Sequence, residues 1–255
     1  MQQAIIVTGA AQGIGAAIVI KLLKQHYHVI GIDKQPYSPS WPVQQMIEAQ
    51  YQTYWTSISQ DITAFEETRI LLNTLINQYN ITGLVNVAGV LILTPLLSAT
   101  EAQWQTSLNV NLLAPIFISQ HLAAHFRQQR QGCIVTVSSN SARMARTEMG
   151  LYATTKAALS HFCRNLALEV APYVRVNIVS PGSTLTAMQQ QLWTDNEPPA
   201  GILDGDLTQY RLGIPLRKLA QPADIANTVS FLLSEEAAQI TMQEIVVDGG
   251  ATLGV

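Results

Sequence analysis

At 255 residues the chain has room for one large α/β domain or two small ones, and 48% hydrophobic against 12% charged residues supplies a wide buried core. A net charge of −3 with no lysine or arginine run argues against nucleic acid or an anionic membrane surface as partner. No apolar stretch reaches the roughly 18 residues a membrane span requires.

In chain order, β-rich runs fall at 4–8, 28–32, 84–87, 133–137, 174–179 and 244–247, with a weaker one at 54–58. Between them, helical periodicity marks 14–26, 64–79, 101–128, 152–170 and 222–234. Most strands are continuously apolar, as in a parallel sheet covered on both faces. Alternating units of this kind predict an α/β fold: one Rossmann-type, doubly wound parallel sheet with helices on both sides, over residues 1–255. Two stretches, 36–42 and 195–206, are rich in turn formers and read as irregular. Met1 runs almost directly into the first strand, so no signal peptide is expected. Cys133 and Cys163 are isolated in core-like segments and read as buried, reduced thiols, which points to a cytoplasmic protein. His121 and His125 are spaced four apart, but no acidic or cysteine pattern accompanies them, and no metal is expected.

The first strand runs into TGAAQGIG, residues 8–15. Gly9, Gly13 and Gly15 let the backbone approach a pyrophosphate, with Gln12 in the same loop. The helix starting near Ile14 turns free N–H groups and a partial positive charge toward the phosphates. Asp33 ends the second strand, where a carboxylate accepts both adenosine ribose hydroxyls and repels a 2′-phosphate. Lys34 softens that repulsion, yet Gln12 offers no cation, and NAD is favoured over NADP. Asp61 reads equally well as an acceptor for the adenine amino group or as a helix N-cap.

Oxidising an alcohol needs a base for the hydroxyl proton. Tyr152 and Lys156, one helical turn apart in LYATTK, stand on one helix face, and Ser139 lies upstream. An unperturbed tyrosine is too weakly acidic for this task, so Lys156 and the nicotinamide cation are expected to lower its pKa.

These motifs, with NVAG at 86–89, Asn111 and PGSTLT at 181–186, resemble the short-chain dehydrogenase/reductase family, in the correct order and over essentially the whole chain. Val87 departs from the NNAG usual in that loop. The resemblance implies that Ser139 holds the substrate oxygen, Tyr152 is the base and Asn111, rather than Asn109, positions a water linking Lys156 to solvent. It further implies a cofactor site drawing on Ile62, Asn86, Ala88, Gly89, Pro181, Gly182, Thr184 and Thr186, with Thr186 on the nicotinamide carboxamide. It also implies a homotetramer, in which helices 101–128 and 152–170 pair across a two-fold axis.

Segments 179–193, 212–222, 225–234 and 244–255 resemble one subgroup of that family, which oxidises a cyclohexadiene diol carboxylate with NAD on the route to catechol siderophores. Docking to other enzymes of such a route is an associated expectation. Arg143 and Arg146 both border the expected pocket. A guanidinium holds a carboxylate through two parallel bonds, and Arg146 is preferred, although a solvent-facing or subunit-contact role stays open. Met188, Gln189, Leu192 and Trp193, in a lid around 184–212, read either as apolar walls for a flat ring or as core packing. A sugar, polyol or cyclic-alcohol dehydrogenase, an NADP-linked 3-oxoacyl reductase and a non-catalytic cofactor-sensing protein are the competing readings.

Overall fold

In the computed structural model, which describes residues 3–36, 38, 41–193 and 200–254, the chain alternates strand and helix. In order these are β1 (Gln3–Thr8), α1 (Gly13–Lys24), β2 (His28–Asp33), α2 (Pro42–Met46), β3 (Trp55–Ser59), α3 (Phe65–Gln78) and β4 (Asn80–Asn86). Then come α4 (Glu101–Leu108), α5 (Ala114–Gln129), β5 (Gly132–Val137), α6 (Gly150–Val170), β6 (Val174–Pro181) and α7 (Ala187–Gln190). The chain closes with α8 (Ala200–Asp204), a hairpin of β7 (Gly205–Asp206) and β8 (Arg211–Leu212), α9 (Pro222–Leu233) and β9 (Glu244–Val247).

Seven strands form one sheet in the order β3-β2-β1-β4-β5-β6-β9, and every pairing within it is parallel. This is the doubly wound class that the strand-helix alternation predicted. The apolar strands serve both faces by simple alternation. In β1, Ile5 and Val7 join a core with Ile18 and Leu22 of α1 and Val229 and Leu232 of α9. Ala4 and Ile6 turn the other way, into a core with Leu72 of α3, Phe126 of α5 and Leu159 of α6. The strand order reverses between β1 and β4, and the crevice at the carboxyl ends of those two strands is where such folds bind ligands.

Two expectations are refined. The helix read over 101–128 divides at a π-helical turn, Asn109–Leu113. Pro115 lacks the N–H that an α-helix would send to the Asn111 carbonyl, and the ladder shifts to the wider spacing, with Ala114 N–H bonding the Asn109 oxygen. The irregular stretches are partly ordered: Pro42 opens α2, and 200–206 forms α8 and β7, while residues 37, 39, 40 and 194–199 lie outside the described residues. Cys133 and Cys163 are free and buried, and burial pushes each thiol up to about 11, which keeps it protonated and inert. No helix among the described residues is long and apolar enough to cross a membrane.

Candidate active site

A cavity of about 520 Å³ opens along the carboxyl ends of the central strands. Its floor at the β1–α1 turn is backbone. Gly9 has φ +67, a conformation costly for any side chain, and a Cβ there would sit 2.8 Å from the Ala88 backbone. A Cβ on Gly15 would come within 2.0 Å of the Gly9 carbonyl oxygen, so α1 could not start this close to the sheet. The space these missing side chains leave is a cradle for a phosphate group above the α1 N-terminus. Thr8 braces it: its hydroxyl accepts from Val87 N at 3.1 Å and Ala88 N at 3.3 Å, tying β1 to the loop after β4.

At the far side of the cradle, Asp33 points one carboxylate oxygen at Ala11 N (3.1 Å) and the other at Gln35 N (3.2 Å). It lines the cavity with Gln12, Gly13, Ile14, Asp61 and Ile62. Asp61 does not cap α3, whose N-cap is Ala64. Its Oδ1 accepts from the Thr63 N–H (2.9 Å) and hydroxyl (2.7 Å), which hold its carboxyl below the usual range.

Ala88, Gly89, Pro181, Gly182, Thr184 and Thr186 also face the cavity. Thr186 caps α7, accepting from Gln189 N at 3.2 Å, and its methyl group lies over the Gly13 turn. Asn86 is different. Its amide nitrogen donates to Ser119 (2.9 Å) and Thr136 (3.2 Å) beneath the sheet end, and it does not line the cavity. The second core partner on each of these bonds is invisible in sequence.

Ser139, at the end of β5, and Tyr152 and Lys156, on α6, meet at the middle of the cavity. Ser138 fixes this meeting. Its hydroxyl donates to the Lys156 carbonyl at 3.2 Å and lies 2.8 Å from Ser160, pinning α6 to the strand end. Ser139 Oγ accepts from Ser141 N (3.2 Å) and the Ser141 hydroxyl (2.9 Å). With both lone pairs engaged, the Ser139 O–H is left to donate outward. Lys156 Nζ donates to the Val137 carbonyl at 2.9 Å and stands 5.7 Å from the Tyr152 ring centroid.

Burial pushes the Tyr152 phenol up to about 12, with the Ser139 hydroxyl pulling the other way, and pushes the Lys156 ammonium down to about 8. The lowering expected from Lys156 together with the nicotinamide cation is thus not produced by Lys156 alone. Lys156 is buried and Tyr152 half-buried at the cavity, and removing each charge from water outweighs a lysine that lies beside the ring and is bonded to a carbonyl.

Asn111 is fully buried in the π turn. Its Oδ1 accepts from Val90 N (2.8 Å), and its Nδ2 donates to Val90 O (2.9 Å) and Ser107 (3.2 Å). A Cβ on Gly89 would lie 3.2 Å from Asn111 Oδ1 and 3.7 Å from Lys156 Nζ, so this glycine separates the two. Asn109 bonds Gln105 and lines the cavity, which Asn111 does not.

Glu244 sets the two arginines apart. This buried carboxylate takes Arg143 at 2.9 Å, Arg164 and the Ser180 hydroxyl, so Arg143 is spent on β9. Arg146 lines the cavity, and among the described residues it donates to no protein oxygen. Burial, and then the neighbouring Arg211 guanidinium, hold it below the usual arginine range, with Asp248 opposing. Met149, Met188, Gln189 and Leu192 also face the cavity. Trp193 does not: it packs on the small core of Ile202, Ile214 and Ala251. Gln189 Nε2 is buried without a hydrogen-bond partner. Among the described residues no group of three or more His, Cys, Asp or Glu gathers as a metal site.

Comparison with known proteins agrees with this architecture. The chain belongs to the short-chain dehydrogenase/reductase family: a family model described as enoyl-(acyl carrier protein) reductase matches residues 9–252. It is 40% identical over 251 residues to the 2,3-dihydro-2,3-dihydroxybenzoate dehydrogenase of Bacillus subtilis, covering 98% of this chain and 95% of that one. It is 37% identical to the vibriobactin-specific 2,3-dihydro-2,3-dihydroxybenzoate dehydrogenase of Vibrio cholerae, with the same coverage. A solved structure titled 4-hydroxyisoleucine dehydrogenase complexed with NADH superposes with a TM-score of 0.86 at 27% identity, covering 99% of this chain and all of that one.

Proposed function

We propose that this chain oxidises 2,3-dihydro-2,3-dihydroxybenzoate to 2,3-dihydroxybenzoate with NAD, as a step of catechol siderophore biosynthesis in the cytoplasm. The observation that carries this reading is Arg146, a cation without an ion-pair partner among the described residues, in the same cavity as Ser139 and Tyr152. A carboxylate on the substrate satisfies it, and related proteins bear that substrate in their names.

The cradle at Gly9 and Gly15, the carboxylate of Asp33 and the turn from Pro181 to Thr186 are the groups that would hold NAD. Asp33 accepts the ribose hydroxyls and disfavours a 2′-phosphate. Bound there, NAD supplies the acceptor for the hydride that leaves the substrate carbon.

The chain's own residues handle the proton and the orientation. Ser139 donates to the reacting oxygen, since Ser141 occupies its acceptor positions. Tyr152 takes the hydroxyl proton as its phenolate, a form that burial makes scarce by holding the phenol near 12 and that positive charge brought to the site favours. Lys156 relays that proton, and Asn111 fixes the Val90 loop beside it. Met149, Met188 and Leu192 give the flat ring apolar walls. Loss of one hydride and one proton leaves a ketone that tautomerises to the aromatic catechol, which makes the oxidation effectively one-way. The whole forms one NAD-binding domain with a substrate lid around 184–212, assembled as a homotetramer.

Identification of the product tests the reading. Chromatography after incubation with NAD and the diol is expected to yield 2,3-dihydroxybenzoate. An unaltered diol, with enzyme that still binds NAD, would overturn it.

A further inference from the structure

Arg146 has a second guanidinium close to it. Arg211, on β8 of the lid hairpin, does not itself line the cavity, but its Nη2 donates at 3.3 Å to the hydroxyl of Ser183, which does. The two arginines come from opposite sides: Arg146 from the segment between β5 and α6, Arg211 from the lid.

Neither is held in an ion pair by a described carboxylate, although the charge of Asp206 acts on Arg211 and that of Asp248 on Arg146. Asp248 is filled by Asn140 Nδ2 (3.2 Å), Gly250 N (2.9 Å) and Thr252 N (3.0 Å). Asp206 turns to Thr208, Asp204 pairs with Arg217, and Glu244 holds Arg143 and Arg164. Among the described residues, then, neither Arg146 nor Arg211 forms an ion pair, although each is half-buried. Their proximity registers in the depressed acidity range of Arg146, to which Arg211 contributes. An arginine in this position stays charged, so the repulsion is not relieved by losing a proton. Gln189, which lines the same cavity, offers a buried amide nitrogen with nothing to bond. A guanidinium in the cavity, a second one bonded to its Ser183 wall and a spare amide donor suit a two-oxygen anion.

Resting on the function proposed above, we propose that Arg211 is a specificity-determining residue that shares the substrate carboxylate with Arg146. A carboxylate has two oxygens and about four acceptor positions, enough for both forks. An uncharged diol of the same shape would leave the two cations facing each other unneutralised. Selection against such diols thus comes from repulsion as well as from lost attraction.

The test is calorimetric binding of 2,3-dihydroxybenzoate and of catechol, the same ring without the carboxylate, to the full-length protein and to R211Q, R211K and R146Q. Thermal melts of each variant check folding. We expect R211Q to weaken 2,3-dihydroxybenzoate by roughly tenfold or more, the scale of a charged hydrogen bond, and to change catechol far less. R211K keeps the charge without the fork and should fall between, which serves if R211Q does not fold. Equal losses on both ligands would reduce Arg211 to a brace for the Ser183 turn and overturn the proposal. So would undiminished 2,3-dihydroxybenzoate binding in R211Q. A wild type that shows this carboxylate-dependent binding yet makes no product from the diol would leave the paired-arginine site standing while the proposed reaction falls.

Discussion

The two ends of the cavity are built by opposite means. The cofactor end leans on backbone: Gly9 and Gly15 clear space, Thr8 and Asp33 fasten loops through main-chain N–H groups, and its pieces lie at the carboxyl ends of neighbouring strands of one sheet. The proposed substrate end is made of side chains from distant segments, Arg146 after β5, and Gln189 and Arg211 from the two ends of the lid. Backbone geometry tolerates almost no substitution and serves one ligand class. Side chains set on a rigid frame exchange readily, and that is where members of one fold come to differ in substrate.

Substitutions that separate the two ends should follow from this. The largest effect is expected at their junction. Tyr152→Phe removes the base and should lower kcat by on the order of 10²–10⁴-fold, while NAD affinity by fluorescence titration changes little. A small kcat effect would remove Tyr152 from its role. Next, Gly15→Ala forces a methyl group onto the Gly9 carbonyl, and overpacking of this kind costs about 1–3 kcal/mol. NAD affinity should fall, and a variant with wild-type NAD affinity would contradict the cradle. At the substrate end, Arg146→Ala should raise KM for the carboxylated diol by about tenfold or more, the scale of a bond to a charged group, and raise it far less for an uncharged cyclohexanol. Losses of equal size would end its assignment as the carboxylate anchor. The smallest signal is spectroscopic. In the protein without cofactor, ultraviolet difference titration against Tyr152→Phe should find Tyr152 ionising near 12, above the ordinary tyrosine value. The sign follows from burial, which disfavours the phenolate. Oxidation should accordingly accelerate as pH rises, because more base is available. Ionisation near neutrality in the protein alone would reverse this account.

The difference between the two ends also explains what could be read in the sequence. The sheet, its order of elements and the Gly9, Asp33, Ser139, Tyr152 and Lys156 positions follow from local signals: apolar runs, a glycine turn and a helical spacing of four. The π turn at Asn109–Leu113 was hidden because Pro115 acts on a hydrogen bond and leaves the apolar periodicity intact. Asn86 was assigned to the cofactor from its motif, yet its bonds to Ser119 and Thr136 depend on how α5 and β5 pack. Trp193 followed the same pattern, joining the small core of Ile202, Ile214 and Ala251. Ser141 carried a faint signal in the serine-rich run 138–141. Arg211 carried none, because only folding of the hairpin brings it to Ser183. That Arg143 is held in an ion pair and Arg146 is not likewise depends on Glu244, a residue of the last strand.

The most direct measurement of the central claim is NADH absorbance with two diols and two cofactors: the cyclohexadiene diol with and without its carboxylate, each with NAD and with NADP. The account predicts rapid NADH formation from the carboxylated diol with NAD, and much slower turnover in the other three combinations. Equal rates on both diols, or a preference for NADP, would contradict it.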